Sequence, residues 1–301
     1  MNLELKNVHK SYGNHHVLKG VNLKVNSGRA MGLLGRNGSG KTTMIRGIMD
    51  VFDFDQGEII LDASADEIGY LPEERGVYPK STLIEQMVYF AMLKGVSKKK
   101  AKERAEYWLD RMDLNEYKNK KADNLSKGNQ QKIQLAISLM HDPKVLILDE
   151  PFSGLDPVNS ELLKTIVREE INKGKIVFFS SHQMATVEEF CDDIAILNQG
   201  KIVLEGDLRD IKSKYPKEKI RIFTDNVTAL NSELVEHVSA SDIELRNDSI
   251  IVKVVSSNIF EEAKELNNKL LNSQGYKIVE PTLEEIFIEY GKEVQIWKNS
   301  G

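Results

Sequence analysis

Residues 30–50 read AMGLLGRNGSGKTTMIRGIMD, and the texture changes twice along them. AMGLL is a short continuous apolar run, the pattern of a central strand buried on both faces. KTTMIRGIMD takes helical spacing. Between them, GRNGSGKTT from Gly35 to Thr43 fits G-x-x-x-x-G-K-[ST]. Gly35, Gly38 and Gly40 let backbone N–H groups converge on phosphate oxygens, and Arg36, Asn37, Ser39 and Thr43 complete the loop. Lys41 would reach the β- and γ-phosphates, and the Thr42 hydroxyl would bind Mg²⁺. A glycine-rich surface loop is the competing reading; the strand–loop–helix context favours the phosphate site.

Working outward, VLILDEP at 145–151 is a second apolar run, ending in Asp149 and Glu150. A carboxylate there stands at the carboxyl edge of a parallel sheet, where ligands of such folds bind. Asp149 can hold Mg²⁺, and Glu150 can orient and polarise an attacking water. His182 closes another strand-like run, KIVFFSSH, and its place at a strand end favours a γ-phosphate contact over a solvated or capping residue. Tyr12 follows the first strand and reads either as a ring for stacking on adenine or as an exposed loop tyrosine. LSKGNQQKIQLAI at 125–137 poses a separate question. Ser126 and Gly128 flank a lysine at the start of a polar helix, which is a second anion cradle far from the first in sequence.

The rest of the chain supplies the frame. Its 301 residues allow one large domain plus a small one, and the net charge of −5 does not suggest nucleic acid as a partner. The single cysteine, Cys191, rules out an intramolecular disulfide and reads as a small buried hydrophobe. No apolar run approaches the roughly 20 residues that span a bilayer, so any work at a membrane needs another chain as anchor. Strand-like alternation fills the N-terminal third. Thr82 and Glu85 form a T-x-x-E capping box, Ser97 can cap the next helix, and Lys98–Lys100 reads as that helix's solvated first turn. VNSELLKTIVREEINKG between two apolar runs gives the strand–helix–strand rhythm of a parallel α/β sheet. CDDIAILNQGKIVLEGD reads as two strands with a turn at Asn198–Gly200. A charged stretch near Lys212–Lys219 marks a boundary, beyond which KIRIFT, a hairpin in DIELRNDSIIVKVV, a helix, a strand YKIVEP and a final helix TLEEIFIEYGKE make a small α+β unit.

Taken together these motifs resemble the nucleotide-binding subunit of an ATP-binding cassette transporter. Tyr12 in SYG matches that family's adenine-stacking aromatic, GRNGSGKT its Walker A loop, VLILDE its Walker B strand and LSKGNQ its signature loop. SGLD at Ser153–Asp156 matches the D-loop, and His182 the switch histidine. The resemblance implies a P-loop NTPase core with a parallel sheet over residues 1–213, an N-terminal antiparallel β subdomain, an inserted helical subdomain at about 81–140, and an α+β accessory domain at 214–301. It implies ATP and Mg²⁺ as ligands, with Asp156 beside the nucleotide. It also implies two cassettes packed head to tail, each ATP lying between the Walker A loop of one chain and Ser126 and Gly128 of the other. Separate membrane permease subunits would hold the pair at the cytoplasmic face of the cell membrane.

Three departures qualify this pattern. Lys127 and Asn129 stand where Gly and Gln are usual in the signature loop, with Ser126 and Gly128 kept. Glu73, in GYLPEERGVYP, stands where a Gln is usual. It can ligate Mg²⁺ through oxygen or serve only as a coupling-loop residue, and in either case it adds negative charge near the phosphates. The segment from Gly57 to Gly69 is short, so the antiparallel subdomain is expected to lack part of a hairpin. YLPEERGVYP, LSKGNQQK and PTLEEIFIEYGKE resemble the narrower group of bacterial sodium- and drug-efflux ATPases that pair with ABC-2 type permeases. The rivals are a soluble cassette acting on ribosomes or DNA, which the single cassette and acidic balance oppose, and a regulatory cassette, which Glu150 and His182 oppose.

Overall fold

The structure is a computed structural model that describes residues 2–74, 76–238, 242–256, 258–288 and 290. The chain divides into two compact units, Met1–Leu208 and Arg209–Gly301.

The first unit opens with β1 (Asn2–Tyr12) and β2 (His15–Asn26), an antiparallel pair turning at Gly13 with φ +57°. After β3 (Ala30–Leu34) and α1 (Lys41–Ile48), β4 (Gln56–Leu61) pairs with the other side of β1, giving a three-stranded sheet ordered β2-β1-β4. Only a 3₁₀ turn, Ala65–Glu67, lies between β4 and the next strand. The shortened hairpin expected from the sequence is therefore what the fold shows.

That next strand, β5 (Ile68–Leu71), was not expected. It forms the edge of the main sheet, pairing in parallel with β6 (Val145–Asp149). Four residues are too few to declare a strand by alternation; the partner supplies the ladder. Between β5 and β6 run α2 (Leu83–Leu93), α3 (Lys98–Arg111) and α4 (Lys127–Leu139). The Thr82–Glu85 capping box forms in full: the Thr82 Oγ1 accepts from Glu85 N, and the Glu85 carboxylate accepts from Thr82 N at 3.0 Å. Ser97 does occupy the N-cap of α3, but its side chain accepts no bond, and Lys98–Lys100 lie exposed.

Then follow α5 (Pro157–Asn172), β7 (Ile176–Ser181), α6 (Met184–Phe190), β8 (Asp193–Asn198), β9 (Lys201–Asp207) and α7 (Leu208–Lys214). The main sheet is ordered β5-β6-β7-β3-β8-β9, with all neighbours parallel except the terminal β8–β9 pair. β3, β6 and β7 are buried along their whole length, as their unbroken apolar runs require. Leu33, Ile147 and Phe178 from this sheet, Met44 and Ile45 from α1, and Leu5, Leu18 and Val21 from the antiparallel sheet make one core. Burying each such side chain stabilises by about 1.5–3 kcal/mol. The helix that follows the phosphate loop is thereby fixed between two sheets. Among the described residues no helix is long and apolar enough to cross a membrane.

In the second unit β10 (Lys219–Phe223), β11 (Ile243–Leu245), β12 (Ser249–Lys253) and β13 (Gly275–Val279) form an antiparallel sheet ordered β11-β12-β10-β13. α8 (Val227–Leu234) and α9 (Ile259–Lys269) cover one face. Ile220, Ile222, Ile250 and Val252 pack there against Leu230, Leu234, Ala263 and Leu266. Residues 283–288 are helical. The rest of TLEEIFIEYGKE, at 289 and 291–293, lies outside the described residues.

Candidate functional site

Sheet order brings the site together. β6, β7 and β3 are adjacent and parallel, so their carboxyl ends emerge side by side, with Asp149 opposite Ser180 and Leu34 opposite Ser181. β5 ends next to them and delivers Glu73 two residues on. The cleft at this edge has a volume of about 470 Å³ and is lined by Tyr12, Arg36, Asn37, Gly38, Gly40, Lys41, Thr42, Thr43, Glu73, Asp149, Glu150 and His182. All of these were expected from the sequence. His15 and Val17, from the hairpin arm that carries Tyr12, line it too and were missed. Their only signal was proximity to Tyr12.

The loop before α1 is built for a ligand that contacts backbone. Gly38 and Gly40 have φ of +78° and +110°, a region open to glycine. A Cβ on Gly35 would lie 2.5 Å from Ser39 Oγ and 2.6 Å from the Leu197 carbonyl oxygen. The β8–β9 turn braces the loop from behind, where Gly200 N donates to the Ser39 carbonyl at 3.1 Å. Ser39 Oγ is buried with no hydrogen-bond partner. Lys41 Nζ donates to the carbonyls of Gly35 at 2.6 Å and Arg36 at 3.4 Å. Burial lowers the Lys41 pKa, against the opposing pull of Glu150, Asp149 and Glu73.

The carboxylates are held from β7. Asp149 is 5% exposed and accepts a hydrogen bond from the Ser180 hydroxyl. Burial raises its pKa, and the charge of Glu150 adds to the effect. Glu150 is 7% exposed and sits in the left-handed region at φ +52°. Its Oε2 accepts from the Ser181 hydroxyl at 3.0 Å, and its Oε1 from His182 N at 2.6 Å. His182 Nδ1 lies 2.5 Å from the same Oε1. A carboxylate oxygen accepts, so Nδ1 carries the hydrogen. The two serines of FFSSH thus position both acids, a function the sequence reading passed over.

Five of the expected site residues do not line this cleft: Gly35 and Ser39, within the loop itself, and Ser126, Gly128 and Asp156. Ser126 caps α4, its Oγ accepting from Asn129 N at 3.2 Å. Gly128 follows on the same turn, with room for a Cβ 3.5 Å from Asn159 Nδ2. Asp156 caps α5, accepting from Asn159 N at 3.0 Å. That bond holds its pKa low. Within one chain, Ser126 and Gly128 are not among the residues that line the cleft.

Two family profiles cover most of the chain: "ABC transporter" over residues 18–153 and "ATP-binding protein DrrA1-3-like, C-terminal domain" over 206–290. The ABC transporter ATP-binding protein YhaQ of Bacillus subtilis (strain 168) is 39% identical over 293 residues, spanning 95% of this chain and 97% of its own. The chain belongs to the ABC transporter ATP-binding proteins.

This ABC transporter subunit also matches the linearmycin resistance ATP-binding protein LnrL of the same organism, at 31% identity over 95% of this chain and 97% of LnrL. Among solved structures it is similar to the dimeric, post-hydrolysis state of the ATP-binding cassette MJ0796 bound to ADP and Pi. The TM-score is 0.63 at 26% identity, covering 69% of this chain and 99% of that one. The ABC subunit therefore binds ATP and hydrolyses it as part of a transporter. Its fold is that of an α/β P-loop NTPase, as the sequence implied.

Proposed function

We propose that this ABC subunit powers export through separate membrane permeases of the ABC-2 type, working as one of a pair of cassettes at the cytoplasmic face of the membrane. The observation that carries the reading is the separation of Ser126 and Gly128 from the cleft that holds Lys41 and Glu150. An ATP bound by one chain has its γ-phosphate side open for the Ser126–Gly128 loop of a second cassette, either a copy or a related chain. The similarity to LnrL, a linearmycin resistance ATP-binding protein, and the DrrA-like C-terminal domain support the export direction.

The residues fit Mg–ATP. The positive-φ backbone at Gly38 and Gly40 and the Lys41 ammonium, all lining the cleft, suit phosphate oxygens. Thr42 and Asp149 supply two hard oxygen donors, which suits Mg²⁺, an ion that takes its remaining ligands from phosphate and water. No cluster of three or more His, Cys, Asp or Glu suited to a metal occurs among the described residues, so a protein-only cage is not the arrangement on offer. Held by Thr42 and Asp149, the ion would supply positive charge that offsets that of the phosphates.

Tyr12, half exposed and edge-on to Phe52 at 6.2 Å, offers a ring to adenine. Lys41 moves from the Gly35 and Arg36 carbonyls to phosphate, exchanging neutral acceptors for charged ones. Glu150 Oε1 is engaged by His182, so Oε2, bonded once by Ser181, is the oxygen with a lone pair to accept a hydrogen from the attacking water. Water then attacks the γ-phosphorus in line, and ADP leaves. Lys41 steadies the γ-phosphate charge, and His182 adds to this as the imidazolium, which carries a hydrogen on Nε2 as well as on Nδ1. Glu73 belongs to the coupling loop beside the cleft. Next to it, an apolar groove lined by Tyr70, Pro72, Phe90, Leu93 and Ile137 faces the helical subdomain and offers a surface to the permease.

The test is to co-express the full chain with a polytopic membrane protein encoded beside it and assay ATP-driven efflux from cells. A chain that neither reaches the membrane fraction with that partner nor changes efflux is not an exporter subunit.

A further inference from the structure

One buried contact joins the two half-sites of a single chain. Gln131 lies one turn into α4, behind Ser126 and Gly128, and is buried. Its Nε2 donates to the Pro151 carbonyl at 3.0 Å. Pro151 directly follows Glu150 and is buried as well. The same helix passes the same segment again at Gly128, where an added Cβ would come within 3.5 Å of Asn159 Nδ2. So the helix carrying Ser126 and Gly128 runs along the stretch from Glu150 to Asn159 and is hydrogen-bonded to it at Pro151.

The fastening matters because of the conformation Glu150 holds. A glutamate at φ +52° is in a sparsely populated region and stays there only where its surroundings over-determine it. Four bonds fix the first side of the turn: Glu150 N to the Ser180 carbonyl at 3.0 Å, and the carboxylate to the Ser181 hydroxyl, His182 N and His182 Nδ1. All come from the end of β7 and the residue that follows it. On the far side, Ser153 N donates back to the Glu150 carbonyl at 3.2 Å, a contact within the turn. Phe152 packs this far side against Phe179 and Phe190, and the Gln131 amide adds a hydrogen bond that ties it to α4. Proline at 151 has no N–H, so its carbonyl is the group of that residue available for such a tie.

We propose that Gln131 is a positioning residue for hydrolysis, which ties the Ser126–Gly128 loop to the turn bearing Glu150 so that occupancy of the second cradle sets the geometry of the acid in the first. The inference rests on the paired-cassette reading above. Gln131 does not line the nucleotide cleft, and its amide bonds the backbone of the turn, so its effect falls on the chemical step. A displacement of α4 pulls on Pro151, and Glu150 shares that turn.

The experiment uses the full chain and two substitutions. Gln131→Met keeps length and volume but has no donor; Gln131→Lys keeps an N–H donor at similar reach. For Gln131→Met, kcat for ATP hydrolysis should fall by about tenfold, the scale of one lost buried hydrogen bond expressed in the transition state, while KM stays within about twofold. Gln131→Lys should recover at least half of the lost rate. Combined with Glu150→Gln, Gln131→Met should still give an ATP-dependent dimer, since the cradle itself is untouched. A residue with a purely structural role would lower thermal stability without separating kcat from KM. Three results overturn the proposal: an unchanged kcat in Gln131→Met, a rise in KM that accounts for the loss, or disappearance of the dimer in the double variant. If Glu150→Gln alone forms no dimer with ATP, pairing with a second copy is refuted, and the kcat and KM of Gln131→Met decide the coupling.

Discussion

Glu150 Oε1 accepts the backbone N–H of His182 at 2.6 Å and lies 2.5 Å from the Nδ1 of the same histidine. Glu150 and His182 are thus one hydrogen-bonded unit, each one residue past the end of the paired strands β6 and β7. The glutamate is buried while the histidine side chain is 58% exposed, so the histidine can turn towards a γ-phosphate without unburying the acid.

Replacing Glu150 by Gln keeps size and hydrogen bonding and removes the carboxylate that polarises water. Hydrolysis should fall by about two or more orders of magnitude, the scale of a lost general base. Binding survives through Lys41, Thr42 and Asp149. A sizing column with Mg²⁺ and ATP should therefore show a dimer of Glu150→Gln, and adding Ser126→Arg should return it to monomer. A double variant that still dimerises would show that the LSKGN loop is not the second cradle.

Lys41→Ala removes the one ammonium directed into the phosphate loop. ATP binding should drop below detection, with the circular dichroism spectrum unchanged because α1 remains packed between two sheets. An affinity within about threefold of the parent, roughly 0.7 kcal/mol, would contradict the assignment.

Glu73→Gln removes a negative charge that faces Lys41 across the cleft. We expect hydrolysis by the isolated chain, and its Mg²⁺ dependence, to be unaffected and efflux to suffer. A shifted Mg²⁺ titration would instead make Glu73 a ligand.

A chain ending at Lys214 lacks the second unit's sheet yet keeps every cleft residue. It should fold and bind ATP with parental affinity, measured by calorimetry. A folded but non-binding fragment would give the C-terminal unit a direct part in the site.

His141 offers a pH test of the core. Burial, partly offset by the bond between its Nε2 and the Ile68 carbonyl at 3.2 Å, pushes its pKa down to about 4 from 6.5. The fold therefore favours the neutral ring, while the unfolded chain takes up a proton at higher pH. Its contribution is complete above about 6.5 and is lost as pH falls towards about 4. His141→Gln should lose less melting temperature than the parent over that range. Parallel curves for the two proteins would refute the assignment.

The sequence by itself determined the phosphate loop, the acid pair and the capping box, because each is a local matter. Gly35 to Thr43 needs only a strand before it and a helix after it, Asp149 and Glu150 need only a strand end, and Thr82 needs only Glu85 three residues on. Ser97 shows the limit of such reasoning, since it reached the cap position and made no bond. The tertiary structure decided what depends on partners distant in sequence. β5, four residues long, is a strand because β6 lies beside it. α8 forms where Leu230 and Leu234 can bury against β10 and β12. Ser180 and Ser181 became holders of the acids through strand order, and Gln131 reached Pro151 across twenty residues. Pairing across a sheet and packing between helices leave no local periodicity to read, and those contacts place Glu150 where water can be activated.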